Sequence, residues 1–182
     1  MFQSEIHGFD PSTHIQGDAP AMTWRNAVAA EDAERVRALV TATGFFNAIE
    51  AEIAADLVSE RVGKGARSGY DFVLAERGDV LVALACYGPI FGTQDSFELY
   101  WIAVAPEVQG QGLGREIYTR AEDAMRAMGA KRIYADTSSS ERYAPTREFY
   151  RRMGFVAQAH LQDFYAPGDG KIVYVKSLSP AL

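Results

Sequence analysis

The segment 104–114 reads Val-Ala-Pro-Glu-Val-Gln-Gly-Gln-Gly-Leu-Gly, and it constrains the fold of this chain more than any other. An apolar run at 97–104, typical of a strand, leads through Pro106 into this turn, and a helical pattern starts near Arg115. Glycine takes positive φ readily and lets a ligand approach the backbone closely. The free N–H groups at a helix start bind anions. This order therefore predicts a phosphate-binding turn.

The spacing of the glycines separates this turn from two common phosphate-binding motifs. The P-loop requires Gly-Lys-Ser/Thr, and the chain has no Lys between residues 65 and 130. The dinucleotide pattern Gly-x-Gly-x-x-Gly fails because Arg115 or Ile117 stands where the third glycine is required. The remaining pattern is Gln109-x-x-Gly112-x-Gly114 after a strand and a proline. It resembles the acetyl-CoA signature of the GNAT superfamily of N-acetyltransferases.

Composition bounds the class of protein. The chain has 182 residues, of which 48% are hydrophobic and 23% charged, as in an ordinary soluble domain. Its net charge of −6 argues against a nucleic-acid partner. Cys86 is the single cysteine, so no intrachain disulfide can form and a reducing compartment is expected. The sequence has no signal-peptide pattern and no apolar run of about 18 residues. We expect a cytoplasmic protein with no membrane partner.

Periodicity predicts one domain at 22–182, preceded by a polar, Gly- and Pro-broken arm at 1–21. The predicted helices cover 31–43, 48–62, 115–128 and a short segment from Pro145 to Gly154; the predicted strands cover 23–28, 71–77, 80–87, 97–104, 132–137, 155–161 and 171–178, with a turn at 163–170 between the last two. Hairpins and a β-α-β crossover together predict a single-domain α/β fold with a mixed, mainly antiparallel sheet of about seven strands and about four helices. The GNAT resemblance implies a sheet splayed between the fourth and fifth strands, with acetyl-CoA in the wedge.

The resemblance also implies which residues bind the cofactor. The backbone amides of the glycine turn would bind the CoA pyrophosphate, and the end of the fourth strand would pair with the pantetheine arm and supply an oxyanion donor. The segment 147–155 resembles a later helix of the family, and Tyr150 falls on the tyrosine that lies near the CoA sulfur and protonates the leaving thiolate. The implied cofactor-binding residues are Ile102, Ala103, Val104, Gln109, Gly110, Gln111, Gly112, Leu113, Gly114, Arg115 and Tyr150.

Two positions depart from the family pattern. Family members often carry Asn seven residues before the tyrosine and Ala four before it, whereas this chain has Tyr143 and Thr146. The Asn helps to anchor the pantetheine in the family. The candidates to replace it are the hydroxyls of residues 138–140, Thr146 and the backbone.

A tyrosine packed for structural reasons is the alternative interpretation of Tyr150.

Acylation of an amine needs a free lone pair, and an alkylamine with a pKa of about 10.4 is almost fully protonated at pH 7. A general base is therefore useful. Glu98 is the leading candidate because it lies eleven residues before Gln109, close to where histone-modifying members carry their base. Alternation places Glu98 on one face with Tyr100, Ile102 and Val104, unless a bulge shifts the parity. Asp95, a water chain and a merely solvated Glu98 stay open.

The predicted function is transfer of acetyl from acetyl-CoA to a primary amine of a small molecule, directly within a ternary complex. Cys86 lies outside the matched segments, so an acetyl-enzyme is not expected. No His or Cys spacing predicts a metal site. A non-catalytic acyl-CoA sensor and a protein or peptide acceptor are the alternatives, and a homodimer is left open. The candidate acceptor contacts are Phe45, Phe46, Phe164 and Tyr165 and the acidic Glu50, Glu52, Asp56 and Asp163, which could equally be core and solvated surface.

Overall fold

A seven-stranded sheet forms the centre of the computed structural model, which describes residues 20–178. The strand order is β1-β2-β3-β4-β5-β7-β6. The strands are β1 Met22–Arg25, β2 Asp71–Arg77, β3 Val80–Pro89, β4 Ser96–Val104, β5 Arg132–Ser138, β6 Val156–Ala166 and β7 Asp169–Ser177. The helices are α1 Asp32–Ala42, α2 Ala48–Lys64, α3 Leu113–Ala127 and α4 Ala144–Arg152, with short 3-10 turns at Gly65–Ser68, Pro106–Val108 and Glu141–Tyr143.

The pairing of β4 with β5 determines the shape of the sheet. All other neighbouring strands pair antiparallel, whereas β4 and β5 are parallel and pair only where Ser96–Glu98 lie beside residues 132–134. Beyond Glu98 the two strands diverge. The predicted mixed, mainly antiparallel sheet, splayed between the fourth and fifth strands, is confirmed.

Local sequence explains where the helices begin and what they bury. The Asn47 side chain accepts a hydrogen bond from the Glu50 amide at 2.9 Å, and the Glu50 carboxylate accepts one from the Asn47 amide at 2.7 Å, which starts α2 with a capping box. Helix α3 buries Ile117, Ala121 and Met125, and it contacts β2, β3 and β4. This apolar stripe follows the helical period on which the prediction of α3 was based.

The two helical layers lie on opposite faces of β4. Trp101 packs against Phe46, in the loop before α2, with ring centroids 5.4 Å apart. Val104, on the other face, approaches the start of α3, where a Cβ on Gly114 would lie 3.8 Å from it. One face of the sheet therefore meets the α1–α2 loop, and the other meets α3.

The final hairpin differs from the prediction. Strand β6 continues to Ala166, so the predicted turn at 163–170 is wrong in extent, and Asp163 lies within the strand with a φ of 52°. The reason is burial: every residue of β6 is exposed, so the strand lacks the apolar alternation by which strands are recognised. The predicted arm at 1–21 lies outside the described residues except for its last two, and the domain boundary stays a prediction. None of the described helices is both long and apolar enough to span a membrane.

Candidate functional site

A cleft of about 1180 Å³ opens where β4 and β5 diverge. Residues from both strands line it, together with the loop before α2, part of the glycine turn and the start of α4. The splayed sheet therefore produces a wedge-shaped cleft between two strands that share one short stretch of pairing.

The glycine turn lies at the end of β4, between that strand and α3. Gly110 and Gly112 have φ values of 75° and 85°, a left-handed conformation that costs other residues about 1–2 kcal/mol. The Gln109 side-chain amide donates to the Val104 carbonyl at 2.9 Å, which fastens the turn to the strand. No described residue accepts a hydrogen bond from the backbone N–H groups of residues 110–115. Together with the α3 dipole, these free donors form a site suited to a phosphate anion.

The predicted cofactor residues divide into two groups. Residues Ile102, Ala103, Val104, Gln109, Gly110, Gly114 and Tyr150 line the cleft, whereas Gln111, Gly112, Leu113 and Arg115 do not. Leu113 is buried in the core, and Arg115 is exposed. Members of the second group can therefore reach a ligand through their free backbone amides.

Tyr150 lies near the end of α4 and is only 5% exposed, yet it lines the cleft. Its ring contacts Phe155 and Tyr174, each with a centroid distance of 5.4 Å. No described residue forms a hydrogen bond with its hydroxyl. Burial, and then the charge of Asp136, raise the pKa of Tyr150, so the phenol holds its proton at neutral pH. Such a group can donate a proton but does not act as a base.

Glu98 lies in the last β4–β5 pair, opposite Tyr134, and does not line the cleft itself. A bulge places Cys86 beside Trp101 but Tyr87 beside Leu99, so Tyr100 is the extra residue of β4. The predicted common face with Ile102 and Val104 is therefore wrong, because the extra residue shifts the parity. Burial raises the pKa of the Glu98 carboxyl, the charge of Asp136 raises it further, and Lys171 opposes both.

Asp136 is a functional candidate that the sequence reasoning missed. It lies on β5 two residues beyond Tyr134, hence on the same face as Glu98, and it lines the cleft. Its carboxylate forms a salt bridge with Lys171 and accepts a hydrogen bond from the Tyr165 hydroxyl at 3.3 Å. Its position near the C-terminal end of the strand after the parallel crossover was the available signal, since ligands of open α/β sheets bind there.

Asp95, the other carboxylate considered as a base, lies before β4 at the closed end of the β4–β5 pair. It forms salt bridges with Lys131 at 3.3 Å and Arg132 at 3.0 Å. It does not line the cleft. The structure therefore does not bring Asp95 together with Tyr150.

The predicted acceptor residues also divide. Phe45, Phe46, Glu50 and Tyr165 line the cleft, whereas Glu52, Asp56, Asp163 and Phe164 do not. Asp169 lines it as well and was missed; it accepts a hydrogen bond from the Ser138 hydroxyl at 2.5 Å. Burial, and then the charge and the hydrogen bond of Asp136, raise the pKa of Tyr165, and the charges of Asp169 and Glu50 add to the rise.

The candidates to replace the family Asn lie between the end of β5 and the start of α4. Ser138, Ser140 and Thr146 line the cleft, as does Tyr143. Arg147 donates to the carbonyls of Ser138 at 3.1 Å and Ser140 at 2.5 Å, so it holds the end of β5 against α4. The Ser138 hydroxyl already donates to Asp169 and lies 2.7 Å from the Ser140 hydroxyl, whereas the Thr146 hydroxyl has no hydrogen-bond partner among the described residues. All three stay candidates.

Comparison with known families decides the assignment. The model of the Acetyltransferase (GNAT) family matches residues 33–155, more than half of the chain. The chain is a member of the GNAT family. No curated protein sequence matches this GNAT protein.

Solved structures place the GNAT protein among similar folds. A candidate GNAT-family acetyltransferase from Desulfovibrio desulfuricans is 43% identical, with a TM-score of 0.82, over 87% of this chain and 100% of that one. The ribosomal-protein-S18-alanine N-acetyltransferase of Escherichia coli is 18% identical, with a TM-score of 0.70, over 89% and 97%. The acetyltransferase candidate yncA from Salmonella typhimurium, solved with its cofactor acetyl-CoA, is 18% identical, with a TM-score of 0.69, over 89% and 96%.

Proposed function

We propose that this GNAT protein transfers acetyl from acetyl-CoA to a primary amine of a small molecule, directly within a ternary complex. One observation carries the proposal: a left-handed glycine turn presents the free backbone amides of residues 110–115 beside a wedge that contains Tyr150. Donors for a pyrophosphate and a protonated phenol in one cleft are what CoA-dependent acyl transfer requires.

The cofactor is proposed from the fit of these residues. The amides of residues 110–115 would bind the pyrophosphate. Beyond Glu98, β4 pairs with β3 alone, so within residues 20–178 the edge at Ile102–Val104 has no strand partner. The Val104 carbonyl accepts from Gln109, and the other outward backbone groups of this edge would pair with the pantetheine. The yncA structure, which has a similar fold and was solved with its cofactor acetyl-CoA, supports the choice of cofactor.

The chemistry follows from which groups hold protons. A backbone N–H of β4 would stabilise the oxyanion as the amine attacks the acetyl carbonyl. Tyr150 would give its proton to the departing thiolate. Glu98 is the proposed base, and Asp136 competes with it because Asp136 lines the cleft directly. If Glu98 accepts the amine proton, the proton must cross a water or Asp136 to reach it.

Direct transfer is supported by the position of Cys86. This thiol is 1% exposed, on β3, and it does not line the cleft. Burial raises its pKa well above the ordinary value, and the charge of Asp71 adds to the effect. A buried, protonated thiol is a poor nucleophile, so a covalent acetyl-enzyme on Cys86 is disfavoured.

A small cationic acceptor is supported by the lining of the cleft. The carboxylates of Glu50, Asp136 and Asp169 lie along it, and such charges attract an ammonium group. Aromatic rings from Phe45 and Tyr143 bound the same region. Rings of this kind suit a compact substrate with an aliphatic or aromatic body.

The test is release of free thiol from acetyl-CoA, measured with a panel of amines and with peptides of increasing length. Turnover that depends on a small amine, and that Tyr150→Phe reduces, is expected. Calorimetric binding of acetyl-CoA without turnover on any acceptor would instead favour a sensor. Turnover on peptides alone, with kcat/KM rising with their length, would contradict the small-molecule acceptor.

A further inference from the structure

Tyr143, which stands where the family often has Asn, reaches across the cleft. Its hydroxyl donates a hydrogen bond to the Phe45 carbonyl at 2.9 Å, and the two rings lie 5.8 Å apart. The neighbouring Arg142 donates to the Gly44 carbonyl, and its guanidinium lies 5.9 Å from the centre of the Phe45 ring. We call these contacts, between residues 44–45 and residues 142–143, the mouth bridge.

The mouth bridge joins the two sides of the wedge. On one side, Phe46 adjoins the bridge and packs on Trp101 of β4. On the other side, residues 142–143 follow the end of β5 through the serine cluster at 138–140. All four aromatic and cationic side chains, Phe45, Phe46, Arg142 and Tyr143, line the cleft. A bond between these segments therefore spans the opening itself.

The bridge lies on the face by which an acceptor would enter. The glycine turn and the start of α3 approach the wedge from the face of Val104. Trp101 and Phe46 lie on the opposite face. Because of the bulge at Tyr100, Glu98 lies on that face too, and Asp136 shares it. An amine that approaches these carboxylates must pass the segments that the bridge joins.

We propose that the mouth bridge limits the size of the acceptor, which makes Tyr143 and Arg142 specificity-determining residues. The inference rests on the proposed function. A single compact amine can enter beside the bridge, whereas a polypeptide lying along the cleft needs the space that the Tyr143 ring and the Phe45 carbonyl occupy. Replacement of the Tyr143 ring by a short side chain removes both the hydrogen bond and the aromatic contact.

The first test compares acceptors of graded size: butylamine, benzylamine and a pentapeptide with a free amino terminus. In Tyr143→Ala and in Arg142→Ala, the ratio of kcat/KM for the pentapeptide to that for butylamine should rise by about tenfold, the lower end of what one pocket contact discriminates. Tyr143→Phe, which keeps the ring but loses the hydrogen bond, should fall between. Phe91→Ala is the matched control, because this aromatic residue is exposed and lies outside the cleft.

The second test needs no turnover. The chain has two tryptophans, Trp24 and Trp101, so Trp24→Phe leaves Trp101 as the sole reporter behind the bridge. Quenching of its fluorescence by acrylamide should increase several-fold when Tyr143→Ala is added, and it should not change with Phe91→Ala.

The outcomes distinguish a failure of the proposed size limit from a failure of the proposed function. Unchanged quenching, or increased quenching with an unchanged size profile, overturns the size limit. If the parent protein acetylates no acceptor in the full panel of amines and peptides, the proposed function fails, and the quenching result still decides whether the bridge closes the cleft. Tyr143→Phe and Arg142→Ala, the milder variants, keep both tests decisive if Tyr143→Ala does not fold.

Discussion

Gly112→Asp tests the phosphate assignment through charge alone. Gly112 stands at the start of α3 with a φ of 85°, and a Cβ added there would meet no heavy atom within 4 Å. Steric crowding is therefore not the reason for any effect. Asp and Asn both tolerate the left-handed conformation better than other side chains. The backbone cost of Gly112→Asp and Gly112→Asn should thus be similar, and only the former brings a negative charge to the turn.

The size of the effect follows from Coulomb's law. A carboxylate at about 5 Å from a phosphate charge, with an effective dielectric constant between about 20 and 80, is repelled by about 1–3 kcal/mol. The dissociation constant for acetyl-CoA should then rise by about fivefold to about 150-fold. The repulsion should shrink with added salt, because the Debye length is about 8 Å at physiological ionic strength.

Isothermal titration calorimetry with acetyl-CoA measures the effect directly, with Gly112→Asn as the matched control. We expect Gly112→Asn to bind within a few-fold of the parent and Gly112→Asp to bind more weakly, with a gap that narrows at high salt. Equal affinities for the two variants at low salt would refute the assignment of the pyrophosphate to this turn.

Three further perturbations test the acid, the base and the stability of the fold. Tyr150→Phe should lower kcat by about 10²–10⁴-fold, the scale of general acid catalysis, with acetyl-CoA affinity measured by calorimetry little changed; an unchanged kcat would reduce Tyr150 to a packing residue. If Glu98 is the base, Glu98→Gln should remove the acidic limb of the pH profile of kcat/KM, a limb that lies above the ordinary glutamate pKa because burial raises the pKa of Glu98. Asp136→Asn should then keep the limb but move it to lower pH, because the charge of Asp136 adds to that rise; loss of the limb in Asp136→Asn alone assigns the base to Asp136. Burial opposes ionisation of Asp32, but hydrogen bonds from Arg25, the Ala29 amide and Arg35 outweigh it and hold the pKa of Asp32 below its ordinary value. The stability that Asp32 contributes to the fold is therefore present above the unfolded pKa of about 3.9 and is lost as pH falls through the lowered folded value. Asp32→Asn should cost about 1–3 kcal/mol in urea unfolding at pH 7 and flatten the loss of stability in acid, and an unchanged acid dependence would contradict this account.

Local features of the chain were predictable because their causes lie within a few residues. The glycine spacing identified the turn, and the apolar stripe of α3 identified the helix that follows it. Which side chains of β4 lie on the same face of the sheet was not predictable in this way. The bulge at Tyr100 is defined by the register of β3 against β4, and a single strand's sequence does not specify its register.

Contacts between distant residues were the other part that the sequence did not predict. Asp136 becomes a candidate only when the parallel pairing places it beyond Tyr134, on the face of Glu98. The hydrogen bond from Tyr143 to Phe45 joins segments that lie far apart in the chain. The departure from the family pattern at Tyr143 was visible in the sequence, but its partner depends on how the α1–α2 loop packs on Trp101.

The brief pairing of β4 with β5 bears on how the domain holds together. Ser96–Glu98 provide the only strand pairing, within residues 20–178, between the half-sheet β1–β4 and the half-sheet β5–β7. A ligand that hydrogen-bonds to both strands of the wedge adds to that pairing, so its binding energy also stabilises the contact between the two half-sheets. At a hundredfold excess over its dissociation constant, a ligand of the folded state adds about 2.7 kcal/mol to the free energy of unfolding. The cosubstrate of such a protein would serve as a structural part of the sheet as well as a reactant, and its concentration would affect the free energy of unfolding as well as the rate of the reaction.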